Sequence, residues 1–380
     1  MQGLKTVNRP EARTYSELTL PELPSIRRKR SPPQGKGTAG LLEVAALAGV
    51  STATVSRVLN DTAKVSKTVI ERVERACREL HYVPNGPARA LSSRRARTIG
   101  AVIPSIENAG FALAIGSLQR FLDASGYTLI VASTDYDSSV ELRQVSMLMS
   151  RGIDGLLLVG DEHDPQLITM IEQQRLPFIE SWSLSAHNAC VGFDNAAAAG
   201  AMANYLLDLG HVHIGVISGR TKDNDRASGR VAGIRTALEM RGLKLTAEWM
   251  IERPYRIAEG RLAMRALLSS PVRPTAVMCL NDQLAFGALI ETKSSGLVVP
   301  RDISITGFND LDFAAFLDPP LTTIHVPADN IGVIAGEYLL ARVRNHPVLR
   351  VNEIETTLIV RASTGPPPAP SRQGKRPARV

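Results

Sequence analysis

The sequence predicts an α/β protein in which a small helical N-terminal unit precedes two lobes built on parallel sheets. Three observations carry that expectation. Between positions 41 and 80, apolar residues recur at helical spacing with short breaks: Val44, Ala45 and Ala48, then Val55, Val58 and Leu59, then Val69, Val73, Ala76 and Leu80. That pattern fits three helices. From position 99 to about 209, short apolar runs alternate with longer helical patterns, which is the rhythm of successive βα units. The rhythm restarts at Ile214, so a second lobe follows the first.

The expected strands of the first lobe are 99–103, 129–132, 155–159, 178–180 and 191–193, separated by helices over 112–125, 140–151, 165–174 and 196–209. The second lobe contributes strands at 214–218, 276–280 and 303–306. Two similar lobes in series imply a cleft between them, because open parallel sheets bind ligands beyond the carboxyl ends of their strands. The expected boundaries are a disordered basic extension over 1–40, the helical unit over 41–84, a basic linker over 85–97, the two lobes over 98–364 and a disordered tail over 365–380. The extension carries the run Arg27, Arg28, Lys29 and Arg30, and the tail opens on Pro366, Pro367 and Pro368.

The 380 residues contain 44 Lys and Arg against 37 Asp and Glu, a net charge of +7 that favours a polyanionic partner without specifying a fold. No apolar run approaches the ~18 residues of a membrane helix, and the N-terminus lacks an apolar stretch with a cleavage site. The expectation is a cytoplasmic chain with no membrane contact. Cys77, Cys190 and Cys279 are far apart and form no Cys-x-x-Cys pair, so they are expected to be buried apolar residues and not a disulfide framework or zinc knuckle.

Within 41–60 the spacing has its own chemistry. Gly49 suits the left-handed turn that ends a first helix, and Ser51 can accept from the free N–H groups of a second. Val50 fits the angle between them, and Ala45 and Ala48 permit the close crossing of a helix-turn-helix. The second helix leaves Thr52, Ala53, Thr54, Ser56 and Arg57 as candidates to face a major groove. Arg57 is suited to bidentate reading of guanine, worth about 1–3 kcal/mol of discrimination. The bland alternative is a structural three-helix bundle with a solvated Arg57.

The pattern Ala-Gly-Val-Ser-x-x-Thr-Val-Ser-Arg-Val-Leu-Asn over 48–60 resembles the lactose-repressor family of regulators, and the resemblance runs from about 41 to 364. That family usually has Thr before the first helix, where this chain has Gly40. The resemblance implies a hinge helix in the segment Tyr82 to Leu91, with Asn85, Ala88 and Arg89 in the minor groove and Leu91 wedging a base step. A linker with Leu91 packed on its neighbours is the alternative. The later part resembles periplasmic sugar-binding proteins and implies an effector pocket of Phe111, Trp182, Arg230, Tyr255, Asn281 and Asn309.

In that pocket Arg230 offers a planar fork for a carboxylate or vicinal hydroxyls, while Phe111, Trp182 and Tyr255 can stack on a sugar face. Ordinary core is the competing reading for Phe111 and Trp182. Asn281 can donate and accept, and Asp282 is expected to cap the next helix. Asn309 stands where many relatives have aspartate, which favours a neutral or acidic effector. The segments Glu180-Ser181-Trp182 and Phe308 to Phe313 are similar to the gluconate-utilisation repressors, which implies gluconate or another sugar acid.

Other signals point to no chemistry. Gly35-Lys36-Gly37-Thr38 lacks the glycine and strand of a phosphate loop. His211 and His213 lack a third metal ligand and are expected to be structural. Asp135 and Asp137 read as loop and pocket-edge acids. No catalytic constellation, cofactor or metal is expected. The combined expectation is a DNA-binding repressor that pairs as a homodimer on a double-stranded operator and responds to a sugar or sugar acid. A free solute-binding protein or sugar-processing enzyme on the same two lobes is the rival.

Overall fold

The computed structural model describes residues 39–60, 65–83 and 95–369. The chain divides into two compact units, residues 1–84 and 85–380. The hinge candidates Asn85, Ala88, Arg89 and Leu91 lie outside the described residues.

The first unit holds α1 (Leu41–Ala48), α2 (Thr52–Asn60) and α3 (Lys67–Glu79). Val44, Ala45, Ala48, Val55, Val58, Val73 and Ala76 form its buried core. Gly40 has no side chain to cap α1. Glu43 compensates from inside the helix, its Oε2 accepting from the Gly40 N–H at 2.9 Å, which is half of a capping box. Cys77 is only partly buried, unlike the expectation for it, because it lies near the C-terminal end of α3.

The second unit begins with β1 (Thr98–Ile103), α4 (Ala109–Ala124), β2 (Thr128–Ser133), α5 (Ser138–Ser150), β3 (Gly155–Val159), α6 (Pro165–Gln173), β4 (Phe178–Ser181) and β5 (Cys190–Gly192). After α7 (Asn195–Asp208) come β6 (Ile214–Ser218), α8 (Asp225–Met240), β7 (Met250–Glu252), α9 (Ile257–Leu268), β8 (Ala276–Cys279), α10 (Asp282–Ser294) and β9 (Ser304–Thr306). The chain closes with β10 (Thr323–His325), α11 (Ala328–Val343), β11 (Val351–Glu353) and β12 (Thr357–Ile359).

One sheet has the order β11-β5-β4-β3-β1-β2 and the other β7-β6-β8-β9, with every pair parallel. Helices cover both faces, so β3 and β6 are buried at every residue, as parallel strands must be to hide their backbone from water. The short strands β7, β10, β11 and β12 were not expected, and β10 pairs with β12 antiparallel. Unlike the equally short β5 and β9, none of these four is buried at every residue, so they lack the continuous apolar run that marks a buried strand.

Chain order and pairing give the molecule its cleft. The first lobe contains β1 to β5, yet its sheet is completed by β11, and α11 packs on α4. The second lobe contains β6 to β9 together with α7, which packs on α8. The backbone therefore passes between lobes three times, before α7, before α11 and after β11. Among the described residues no single helix is long and apolar enough to cross a membrane.

Candidate functional site

In the first unit α1 and α2 meet at 100°, within the range of a helix-turn-helix. Gly49 makes the turn at φ 62 and ψ 42, and the Val50 N–H returns to the Ala45 carbonyl at 3.0 Å. The Arg72 guanidinium from α3 covers the last carbonyls of α1, those of Ala48 and Gly49. Ser51 Oγ accepts from the Thr54 N–H at 3.1 Å and so caps α2. Ala53 and Arg57 are exposed on α2, and Thr52, Thr54 and Ser56 are half-buried. The Thr54 hydroxyl is engaged with Ser51 Oγ at 2.9 Å, which ties it to the cap.

In the second unit the six effector candidates line one small cavity between the lobes. Phe111 lies in the first turn of α4 and Trp182 follows β4. Their rings meet edge to face at 5.1 Å, and both are nearly fully buried in the main core. They therefore serve as core and as cavity wall together. Trp182 adopts φ 72, and its carbonyl accepts from Asn195 Nδ2 at 2.9 Å. Tyr255 passes over the end of β6, where a Cβ on Gly219 would stand 2.2 Å from its Cζ. Only glycine leaves that ring its place.

Arg230 is 5% exposed. Its Nε donates to Asn195 Oδ1 at 2.9 Å and its Nη1 to the Leu280 carbonyl at 2.9 Å. Its guanidinium lies 3.6 Å over the Phe308 ring, an attraction between a cation and the ring's negative face. Burial lowers its pKa to about 10, so it remains a cation at neutral pH. No carboxylate pairs with Arg230 among the described residues, and its Nη2 makes no internal hydrogen bond there.

Asn281, not Asp282, caps α10, its Oδ1 accepting from the Gln283 N–H at 2.7 Å. The cap belongs to the residue just outside the helix, whereas Asp282 is already its first turn. Asp282 is fully buried and accepts from the Leu311 N–H and Thr323 Oγ1, both at 2.7 Å, with burial raising its pKa to about 7. These bonds hold the loop that carries Asn309 at φ 110. Asn309 is 8% exposed, and its buried Oδ1 has no hydrogen-bond partner. Asn309 thus brings an unpaired buried acceptor to the cavity lining.

Asn108, Tyr136, Asn224 and Arg226 also line the cavity and escaped the sequence reading. Asn108 and Asn224 cap α4 and α8 by accepting from Gly110 and Ala227 N–H groups. With Asn281, three helix N-termini meet the cavity, a signal available from strand ends followed by cap residues. Burial, with the neighbouring Tyr255, raises the Tyr136 pKa and keeps its hydroxyl protonated. Glu180 instead bonds Asn188 Nδ2 at 2.6 Å, away from the cavity lining.

On one side of the cavity the lobes meet through acids. The Asp161 N–H donates to Asp225 Oδ2 at 3.2 Å, and Asp225 also accepts from Ser183 Oγ and pairs with Arg226. Loss of solvent, then bonding to and repulsion from Asp225, push the Asp161 carboxyl up to about 7. Burial opposes ionisation of Asp225, but Arg226, Asp161 and Ser183 hold its pKa below the usual value. Of the two, Asp161 is therefore the carboxyl that takes up a proton more readily. Asp137 lines this side and caps α5 through the Ser139 and Val140 N–H groups. His211 bonds Thr275 Oγ1 at 2.9 Å and the Gly365 carbonyl at 2.8 Å in the core, a structural role.

Comparison with known proteins sets these features in a family. Residues 40–85 match the model of bacterial regulatory proteins of the lacI family, and residues 203–364 match a periplasmic binding protein-like domain. The chain is 36% identical over 335 residues to the HTH-type transcriptional repressor PurR of Pectobacterium atrosepticum, covering 87% of this chain and 98% of that one. It is 35% identical over 328 residues to the ribose operon repressor of Haemophilus influenzae, covering 86% and 98%.

Among solved structures, the lac repressor dimer bound to operator and the anti-inducer ONPF superimposes with a TM-score of 0.76 at 26% identity, over 87% of this chain and 100% of that one. The transcription regulator GntR from Chromobacterium violaceum gives 0.67 at 31% identity, over 70% and 99%. Such identity, sustained from the recognition helix to the last strand of the lobes, means that the chain belongs to the LacI family: it is a DNA-binding, effector-controlled transcriptional repressor and not an enzyme.

Proposed function

We propose that the effector is a sugar acid, with gluconate the leading candidate, and that its binding sets the operator occupancy of a homodimer. The observation that supports this most is the charge of the inner cavity. Its lining contains Arg226 and Arg230 and no carboxylate. Arg226 is neutralised by Asp225, so Arg230 carries the uncompensated charge. The N-termini of α4, α8 and α10 add positive potential. A carboxylate on Arg230 satisfies its free Nη2, and polyol hydroxyls suit Asn281 and the open acceptor of Asn309.

Similarity to a ribose operon repressor supports a neutral sugar as the second reading. Calorimetric titration with gluconate and with ribose separates the two. The expected result is saturable binding of gluconate; binding of ribose with none of gluconate overturns the acid reading.

At the output end, Thr52, Ala53, Ser56 and Arg57 are the proposed groove-facing residues, with Thr54 supporting them through the cap. One recognition helix reads half a site, so a two-fold pair is the proposed DNA-bound form. Effector binding favours one arrangement of the lobes, and whatever free energy separates its affinities for the two arrangements is available to change DNA binding.

A further inference from the structure

The positive charge of the chain does not sit on the helices that read DNA. Residues 41–84 hold six Lys and Arg against five Asp and Glu, a net charge of +1, and residues 98–364 hold 22 against 29, a net charge of −7. The linker 85–97 adds four arginines. Residues 1–40 hold eight Lys and Arg against three Glu, a net charge of +5, concentrated in Arg27, Arg28, Lys29, Arg30 and Lys36. The match to the lacI-family model begins only at residue 40, so this charge precedes everything the family model describes. We propose that residues 27–36 are a second DNA contact, an arm that binds the phosphates flanking the half-site read by α2.

Neutralising phosphates supplies most of the sequence-independent affinity for a duplex, and the helix-turn-helix has little to offer for it. Arg72 is turned onto the Ala48 and Gly49 carbonyls, and Arg78 stands 3.9 Å from Glu74. With Arg57 given to a base, Lys64, Lys67 and Arg75 remain, beside Glu43, Asp61, Glu71 and Glu79. The unit therefore needs cations from outside its helices.

Residues 1–38 lie outside the described residues, but their point of attachment does not. Gly40 is extended, at φ −100 and ψ −178, and its N–H is held by Glu43 Oε2, so the chain runs directly into the first turn of α1. In a helix-turn-helix the first helix crosses the phosphate backbone while the second enters the major groove. An arm attached there starts beside DNA, as the N-terminal arms of other DNA-binding units do. Arg30 is ten residues from Gly40, a reach of at most about 35 Å, or roughly one turn of duplex.

The basic C-terminal segment is not equivalent. It carries Arg372, Lys375, Arg376 and Arg379, but it leaves from the acidic lobes, where the Gly365 N–H donates to Ser304 Oγ at 3.1 Å and its carbonyl accepts from His211 at 2.8 Å. It supplies an internal control of equal charge.

The test is anisotropy titration of a labelled random-sequence duplex of about 40 base pairs with the full chain, between about 50 and 200 mM KCl. One variant combines Arg27→Gln, Arg28→Gln, Lys29→Gln and Arg30→Gln; the other combines Arg372→Gln, Lys375→Gln, Arg376→Gln and Arg379→Gln. Each loses four charges, so bulk attraction alone predicts equal effects. The N-terminal variant is expected to lose about tenfold or more in affinity at about 100 mM salt, and its slope of log K against log salt to flatten by about 3–4, near 0.9 per phosphate contact. The C-terminal variant is expected to stay within about twofold of the wild type, because exposed charges beyond a Debye length are screened.

Removal of residues 1–36 is expected to flatten the slope in the same way. A wild-type slope in the N-terminal variant or in the shortened chain overturns the arm, as do equal losses in the two variants. Unchanged duplex affinity in the N-terminal variant, with lost binding to single-stranded RNA of the same length or to phosphatidylserine vesicles, gives the charge to another polyanion and overturns the proposal as well.

Discussion

In the proposed effector pocket Arg230 is a buried cation and Asn309 carries a buried acceptor without a partner. Asn309→Asp tests that pocket with almost no change in volume. An aspartate there repels a carboxylate and competes for Arg230, so gluconate affinity is expected to fall about tenfold or more, roughly 1.4 kcal/mol. Calorimetry reads the change, and an unaltered gluconate affinity would remove Asn309 from the site. That the six candidate positions converge on one cavity was legible through their family resemblance. The roles of Asn281 and Asp282 were not, because which of two adjacent polar residues caps a helix depends on where the helix starts, within the ±1–2 residue uncertainty of any boundary. Tyr136 was missed because nothing in its local sequence reveals that two distant strand ends converge, whereas Asn108 follows a strand end as a helix cap.

At the scale of elements, the helix-turn-helix depends on one backbone conformation. A side chain at Gly49 would adopt φ 62 and place its Cβ 2.6 Å from Arg72 Nη2. Gly49→Ala is expected to cost about 1–2 kcal/mol from the left-handed backbone alone and to release Arg72 from the end of α1. Thermal unfolding of the DNA-binding unit should move down by about 4–8 °C for each kcal/mol lost in so small a unit, with operator affinity falling in parallel. An unchanged midpoint would contradict the turn's role. The turn was readable because Gly49, Ser51 and the small alanines lie within a dozen residues. The Arg72 cap was not, since it comes from 23 residues beyond Gly49. Glu43 shows the reverse case: Gly40 offers no side-chain cap, and the remedy three residues on follows a pattern visible in the sequence.

For the whole molecule, the lobes repeat a pattern long enough to be recognised, so their order was legible. The three crossings and the late strand β11 were not, because they depend on pairing between distant segments. The raised pKa of Asp161 is expected to make the stability of the lobes depend on pH. The Asp161 pKa is raised from 3.8 to about 7, so its contribution is fully present below the unfolded value and is lost as pH rises through 7. The unfolding midpoint of the lobes should therefore decline between pH 5 and 8 through this group, tempered by solvent screening at the exposed cleft edge, and Asp161→Asn should flatten that decline. An identical slope in the variant would rule this group out. The proposed function couples DNA reading to sugar-acid binding in the cleft, and the most direct measurement is a gel-shift of genomic DNA fragments with and without gluconate. The prediction is retention of a few discrete fragments, with an apparent Kd that gluconate changes by about 5- to 150-fold, the usual range of coupling between sites; retention that saturating gluconate leaves unchanged would contradict it.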